Sequence, residues 1–232
     1  MKHFSIFILV SVSFLTACDK ESANETPVAV NPVNTSIPSA PPAAPPAAPP
    51  AAAETSQEAI DLANKQALLD YATMEDRYIN DSLAKWAATA KASSTYGVTQ
   101  EKSPGALSSY GSEKAAGAID GSTWCNNNTD LGFDWLELGY DKPVSATEVR
   151  IVFKPNAGAA AVTKMELIDT GGKLYTVWSG ISDVKSDARG SRTWFVRTFA
   201  ATPYKVKAVK ITLANNVSPG YKEIDAVQLV GE

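Results

Sequence analysis

The sequence predicts an all-β fold, an antiparallel jelly roll or β-sandwich of about eight strands, preceded by one helix and a Pro/Ala-rich tether. Two observations favour this architecture. From Trp86 onward, short segments of alternating apolar and polar residues are separated by turns rich in Gly, Pro, Asn and Asp. Roughly the first quarter of the chain cannot form a core, so one domain of ordinary size remains.

The N-terminus has the features of a secretory leader. Lys2 supplies a positive charge, and a mostly apolar run follows from Phe4 to Leu15. That run is shorter than the ~20 residues of a membrane-spanning helix, so it predicts a signal peptide over residues 1–17. The sequence Leu-Thr-Ala-Cys that ends at Cys18 resembles the lipobox of bacterial lipoproteins. The resemblance implies cleavage before Cys18 and lipidation of its thiol; an ordinary leader that contains a cysteine is the alternative.

A linker without a core is predicted for residues 18–55. The stretch 19–55 carries nine of the 14 prolines, including the repeat P-P-A-A-P-P-A-A-P-P-A-A-A from Pro41 to Ala53. Such a composition favours disordered, extended polyproline-like conformers. We interpret it as a tether, with a proline-motif ligand for a partner domain as the alternative.

One helix is predicted over residues 56–80. Thr55 and Ser56 are possible N-caps, and Asn80, Asp81 and Ser82 favour a break after it. Apolar and aromatic residues recur at spacings of three and four and form a stripe along this helix, at Ile60, Ala63, Ala67, Tyr71, Met74 and Tyr78. This stripe could pack on the β domain or pair with another helix.

The β domain is predicted to cover residues 81–232. Alternation places Leu136, Leu138 and Tyr140 on one face of a strand, and Asp169-Thr-Gly-Gly172 predicts a hairpin turn. The predicted strands lie near 86–97, 135–140, 149–153, 164–167, 173–178, 193–199, 206–213 and 224–230.

Composition excludes several classes of function. The formal charge is −4 with 21 basic and 25 acidic side chains, and no basic cluster stands out, so nucleic acid is not expected as a partner. The only histidine is His3, in the leader. The mature chain therefore lacks an imidazole base or ligand, which excludes Ser/His/Asp and Cys/His catalysis and most zinc sites.

Four motifs occur in an order that resembles a known family. They are A-x-A-S-S-x-Y-G at Ala90–Gly97, A-I-D-G-S-T-W at Ala118–Trp124, D-W-L-E-L-G-Y-D-K-P-V at Asp134–Val144, and V-K-I-T-L followed by E-I-D-A-V-Q-L-V-G near the end. Together they resemble the discoidin domains (coagulation factor V/VIII type C) of the galactose-binding-like superfamily. The resemblance implies a non-catalytic jelly roll whose loops at one end bind glycans, lipid headgroups or proteins.

The resemblance also implies a structural calcium ion near the Asp-Gly turn. Matched by motif, its ligands would be Asp120, Ser122 or Thr123, and Glu223, with carbonyl oxygens completing a shell of six to eight. The loop between Asp-Gly and Trp124 is shorter here than is usual in the family. An Asp120 that only stabilises a turn is the alternative.

Glycan binding in this fold generally uses a loop aromatic with amide and charged groups. Trp124 is equally compatible with a core position, and the three asparagines with turn formation. No histidine is available for a galactose-type pocket. The candidate ligand-binding residues are Trp124, Asn126, Asn127, Asn128, Arg192, Trp194 and Tyr221.

Two further groups need an interpretation. Cys125 is the only thiol besides Cys18, and we expect it to be buried, with an intermolecular disulfide as the alternative. Asp130, Asp134 and Glu137 are close in sequence, but a small domain built of sandwich strands has little left to form a glycosidase cleft. We therefore expect no enzyme.

These features predict a lipid-anchored protein of the bacterial cell envelope, facing the periplasm or the cell surface. Its β domain would bind carbohydrate, with calcium as a possible structural cofactor. The alternative function is a protein–protein adaptor of an envelope or secretion complex, docked through the helix or a sheet face.

Overall fold

The computed structural model describes residues 52–98 and 109–232, with side chains from residue 56 onward. The chain begins there with the helix α1 (Ala52–Ile79) and continues as short and long strands. Two short 3₁₀ helices cover Ser112–Ala115 and Ala159–Ala161. The strands are β1 (Ala84–Trp86), β2 (Thr89–Ala92), β3 (Trp124–Cys125), β4 (Phe133–Val144), β5 (Ala146–Phe153), β6 (Val162–Asp169), β7 (Leu174–Ser179), β8 (Thr193–Thr198), β9 (Val206–Ala214) and β10 (Glu223–Gly231).

These strands form two antiparallel five-stranded sheets. Sheet 1 has the order β1-β10-β5-β8, and β3 also pairs with β10. Sheet 2 has the order β2-β4-β9-β6-β7. In sheet 1, β3 pairs with the start of β10 and β1 with its end, so β10 is bonded along both edges.

The sheets face each other across one apolar core, as the alternation predicts. Leu136, Leu138, Ile151, Phe153 and Phe195 are fully buried within it. Truncating a large side chain at such a position typically costs about 3–5 kcal/mol. The prediction of an antiparallel β-sandwich is confirmed.

The number of strands differs from the prediction for a physical reason. Eight of the ten strands have four residues or more, and each lies at or near a predicted strand. The two additional ones are β1 and β3, with three and two residues. Strands this short cannot display an alternating pattern, so periodicity does not detect them.

The helix α1 packs on the outer face of sheet 1. Tyr71, Met74 and Tyr78 contact a patch formed by Val152, Trp194 and Ala226. Close approach requires Gly190, where a Cβ atom would lie 2.1 Å from the Tyr71 ring. The C-terminal half of the apolar stripe therefore packs on the β domain, which is one of the two alternatives that the sequence left open.

A buried guanidinium fixes the end of α1 on the sheet. Arg150 on β5 pairs with Asp81 at 2.7 Å and with Glu148, and it donates to Gln228 at 3.2 Å. It also lies 4.2 Å from the centroid of the Tyr78 ring. Burial would raise the pKa of Asp81, but the hydrogen bonds from Arg150 and the Leu83 amide, together with the charge of Arg150, outweigh burial and lower that pKa. Arg150 thus joins the helix, the turn after it and the two central strands.

The N-terminal half of α1 extends beyond the sheet. Ile60, Leu62, Leu68 and Leu69 are between 51% and 68% exposed. Tyr71 contacts the β7–β8 loop at Gly190 and Arg192, whereas Tyr78 lies at the middle of β5 and β10.

Among the described residues, no helix combines the length and apolar character needed to cross a membrane. The predicted signal peptide, the lipidation of Cys18 and most of the tether lie outside the described residues.

Tyr140 supplies a test of the core. Its side chain is 7% exposed, and its hydroxyl has no hydrogen-bond partner among the described residues. A buried, unsatisfied hydroxyl costs about 1–3 kcal/mol. We expect Tyr140→Phe to raise the free energy of unfolding by about 1 kcal/mol in urea titration. Leu138→Ala, two residues away, should lower it by about 2–5 kcal/mol; a loss of stability in Tyr140→Phe would instead reveal a hydrogen bond of the hydroxyl.

Candidate functional site

The long loops of the sandwich meet at one end. They follow β3, β5, β7 and β9 and cover residues 126–132, 154–161, 180–192 and 215–222. The segments 93–98 and 109–123 reach the same end. We call this the loop end. Loops held by a rigid sheet are where binding residues concentrate.

Three tyrosines form an exposed aromatic cluster at the loop end. The rings of Tyr96 and Tyr221 lie 4.9 Å apart edge to face, and those of Tyr96 and Tyr110 lie 5.5 Å apart in the same arrangement. The three side chains are 37% to 43% exposed. The backbone of β3 holds two of them, since Tyr96 donates to the Cys125 carbonyl and Cys125 donates to the Tyr110 carbonyl. We call these residues the tyrosine cluster.

An ion pair lies beside the tyrosine cluster. The Lys154 ammonium is 2.7 Å from a carboxylate oxygen of Glu223, which also accepts a 2.9 Å hydrogen bond from Thr123. This hydrogen bond with Glu223 raises the pKa of Lys154, and Tyr110 makes a smaller electrostatic contribution. Lys154 therefore stays charged and faces the cluster.

A cavity of about 160 Å³ has Lys154 in its lining. The loops after β5, β7 and β9 form its walls. Its lining combines small apolar groups with hydroxyl, amide and ammonium groups, which suits a small polar ligand with some apolar surface. The polar lining includes Lys154, Asn156, Ser186 and Ser218, and the apolar lining Ala157 and Val184.

A buried carboxylate organises the interior of the loop end. Asp134 is 1% exposed. It accepts hydrogen bonds of 2.7 Å from Ser93 and Ser94, and of 2.9 Å from Asn126 and Asn215. Burial alone would raise the pKa of Asp134, but these donors outweigh it and lower that pKa. The carboxylate is thus ionised and saturated, which leaves it no part in a glycosidase pair.

A buried ammonium lies next to this network. Lys222 is fully buried, and its Nζ donates to the carbonyls of Thr129, Asn215 and Gly220. Burial lowers the pKa of Lys222, opposed by the charge of Asp134. Its backbone N–H donates to the Asn126 side chain at 2.8 Å. Sequence reasoning gave no role to Lys222.

The predicted glycan-binding residues separate into three groups. Tyr221 is in the tyrosine cluster, and Asn127 and Asn128 are exposed at the loop end. Trp124 and Asn126 are fully buried. The Trp124 indole donates to the Ser94 carbonyl at 2.9 Å, and the Asn126 side chain donates to the Asp134 carboxylate at 2.9 Å. As ligand contacts these two are corrected, because no surface of either is accessible.

Arg192 and Trp194 form the third group, and the helix accounts for their position. The carboxylate of Glu75 accepts a 3.2 Å hydrogen bond from each of them. Trp194 is only 8% exposed, and its ring lies 5.1 Å from that of Tyr78. Both side chains hold α1 on sheet 1. Trp194 is too buried for a ligand contact and is corrected as well, whereas Arg192, whose side chain is 30% exposed, stays a prediction.

The side chains predicted to bind calcium make other contacts in this structure. Glu223 and Thr123 are bonded to each other, but Lys154 already neutralises that carboxylate. Asp120 accepts from the Ser122 amide in a turn. The Asp-Gly turn is held by Asp225, which accepts from the amides of Asp120 and Gly121. No group of three or more His, Cys, Asp or Glu side chains in residues 52–98 and 109–232 could hold a metal.

Cys125 is buried and free, as expected. Burial raises the pKa of its thiol to about 11, so the thiolate is scarce at neutral pH. This environment is that of an unreactive cysteine.

Sequence reasoning missed Tyr96, Tyr110 and Lys154. A signal existed for two of them, because Tyr96 and Tyr110 each precede a glycine in a Ser-rich segment. Their convergence with Tyr221 depends on the pairing of the two-residue strand β3, which periodicity does not detect. For Lys154 the sequence offers no signal beyond its place after a strand.

No protein-family model matches this chain, and no curated protein matches it. Solved structures do match. They include a chitosan-binding module of a chitosanase/glucanase from Paenibacillus sp. IK-5 (16% identity, 62% of this chain and 95% of that chain, TM-score 0.46). They also include a family 32 CBM from C. perfringens in complex with galactose (17%, 63% and 98%, 0.46) and an F5/8 type C domain from Bacteroides fragilis (15%, 64% and 97%, 0.44). At these identities and TM-scores the likeness assigns neither a ligand nor a site residue to this chain.

The ionised Asp134 predicts a specific loss of stability in acid. Because its pKa in the folded state lies below the ordinary value of 3.8, its contribution is present above that value and is lost as the pH falls through the lowered pKa. We expect Asp134→Asn to lower the free energy of unfolding by about 3 kcal/mol at pH 7. The difference from the wild type should shrink below pH 3.8.

Urea titrations between neutral pH and about pH 3 would measure this difference. Asp141→Asn, an exposed carboxylate at the opposite end of β4, is the matched control and should change stability by less than about 0.5 kcal/mol. A pH-independent difference between Asp134→Asn and the wild type would contradict an ionised Asp134.

Proposed function

We propose that this chain is a lipid-anchored protein of the bacterial envelope whose β-sandwich binds carbohydrate at the loop end. The observation that carries the proposal is the tyrosine cluster. Three partly exposed rings at one end of a rigid sandwich form an apolar surface with polar hydroxyl edges. Sugar rings present apolar C–H faces bordered by hydroxyls, so such a surface can stack on one face and hydrogen-bond its edge.

The groups around the cluster support the same proposal. Lys154 and Glu223 provide a charge-assisted donor and acceptor beside the rings, and the cavity with Lys154 in its lining contributes hydroxyl and amide groups. A few polar groups around an apolar surface are typical of small-ligand sites. The motif resemblance to discoidin domains, from Ala90 to the C-terminus, favours a binding module.

A protein–protein adaptor is the second candidate. The observation that favours it is the N-terminal half of α1, where Ile60, Leu62, Leu68 and Leu69 are more than half exposed. Exposed apolar helix surface commonly marks an interaction site. These residues differ from those of the tyrosine cluster, so the two functions predict different sensitive residues.

We expect the protein without residues 1–18 to bind at least one member of a panel of neutral, amino and acidic polysaccharides and peptidoglycan. Tyr221→Ala should weaken that binding about tenfold, the loss of ~1.4 kcal/mol of ring contact. Isothermal titration or affinity electrophoresis measures the affinity. Tyr221→Phe keeps the ring and separates stacking from the hydroxyl.

Tyr175→Ala is the matched control, because Tyr175 lies at the start of β7, at the opposite end of the sandwich. It should leave saccharide affinity unchanged. Failure of the wild type to bind any saccharide of the panel would refute the carbohydrate proposal and favour the adaptor.

The anchor is tested separately. We expect Cys18→Ser to move the protein from the membrane fraction to the soluble fraction, because acyl chains contribute ~0.8 kcal/mol per buried methylene. Cell fractionation followed by immunoblotting measures the distribution. Cys125→Ser, at the buried free thiol, should stay with the membrane, and retention of Cys18→Ser in that fraction would contradict the anchor.

A further inference from the structure

Lys222 is a fully buried lysine that the proposed site does not use directly. Its ammonium lies 2.8 Å from the Thr129 carbonyl oxygen, 3.0 Å from that of Asn215 and 2.7 Å from that of Gly220. These three contacts match the three N–H donors of an ammonium group. Thr129 belongs to the β3–β4 loop, and the other two carbonyls to the β9–β10 loop. One cation thus joins two loops that are far apart in sequence.

The surrounding structure leaves room for this side chain and little else. Gly158 on the β5–β6 loop adopts a φ of +96°, and a Cβ atom there would lie 2.5 Å from Cγ of Lys222. A third loop therefore borders the stem of the lysine. The carboxylates of Asp134 and Asp130 both act on Lys222 electrostatically. The charge is buried, but it is compensated.

Converging carbonyl oxygens are the environment that proteins provide for cations. Without a positive charge between them, the three carbonyl dipoles would repel one another and lie buried without donors, which is strongly unfavourable. By contrast, the residues predicted to bind calcium are already engaged by Lys154 and by backbone amides. The described loop end thus supplies its own cation.

We propose that the Lys222 ammonium is an internal cation that holds the β3–β4 and β9–β10 loops together, the role that a bound metal ion would fill, and that it thereby positions Tyr221. Tyr221 is the adjacent residue and carries one ring of the tyrosine cluster. Lys222 is in this sense a positioning residue. Its effect on the fold is independent of the proposed function, and its effect on saccharide affinity rests on that function.

Chemical rescue tests the proposal on the full-length protein. Lys222→Ala removes the cation and its stem, and should lower Tm by about 10 °C, as expected for breaking a buried ionic network in a domain of this size. n-Propylammonium should restore part of that loss in a saturable manner. Lys222→Met, whose stem fills the same space without a charge, should be destabilised but not rescued. Lys210→Ala, at a partly exposed lysine on β9, should show neither effect.

A chelator should leave the wild-type Tm unchanged. Two results with the variants would overturn the proposal: a Tm of Lys222→Met equal to that of the wild type, or equal responses of Lys222→Ala and Lys222→Met to the amine. A fall in the wild-type Tm with chelator would also overturn it, because a metal ion would then hold the two loops together. Saccharide affinity is measured separately on the wild type. If the amine restores the Tm of Lys222→Ala but the wild type binds no saccharide, the internal cation is supported and the proposed function is rejected.

A second measurement covers the case in which the variants do not fold. In the native wild type, Lys222 should react with an amine-acylating reagent at least about 100-fold more slowly than Lys210, because access requires opening of the loops. Mass spectrometry of the digested protein gives both rates. Equal labelling of the two lysines in the native protein would overturn the proposal, and equal labelling only in denaturant would support it.

Discussion

The burial of one carboxylate, Asp134, is the constraint on which the loop end depends. Removing a carboxylate from water costs several kcal/mol unless hydrogen bonds replace its hydration. The four close donors around it come from the segment after β2, from the β3–β4 loop and from the start of the β9–β10 loop. None of these segments can move away without leaving a buried charge unsatisfied. The network therefore gives irregular backbone an order that ladder hydrogen bonds alone would not supply.

The exposed site is built directly on this interior. Ser94 accepts from the Asn127 amide, and its carbonyl accepts from the Trp124 indole. Asn126 joins the network to the backbone of Lys222, which precedes Glu223 and follows Tyr221. Asn126, which was predicted as a ligand contact, thus supports the site from inside. Residues close in sequence to this network, such as Tyr96 and Tyr221, form the exposed surface.

Much of the fold can be predicted from periodicity, because eight strands are long enough to alternate. What covers the outer face of each sheet can be predicted only in part. Ile151, Val152 and Phe153 form a continuous apolar run, which is typical of a strand covered on both sides, and this signal indicates the helix on sheet 1. It does not identify which residues the helix covers, so Trp194 and Arg192 resemble loop residues until α1 is placed. Likewise, an Asn-Asn-Asn run reads as a turn, and only the register of β3 against β10 shows that Asn126 points inward.

The direction of α1 has a consequence for how the domain is presented. Tyr71 contacts the loop after β7, and Tyr78 lies over the middle of sheet 1. The exposed part of the helix, from Ser56 to Asp70, therefore projects from the same end of the sandwich as the tyrosine cluster. A ligand bound there would lie on the same side as the exposed part of the helix, so the helix limits how large a neighbouring structure can come alongside.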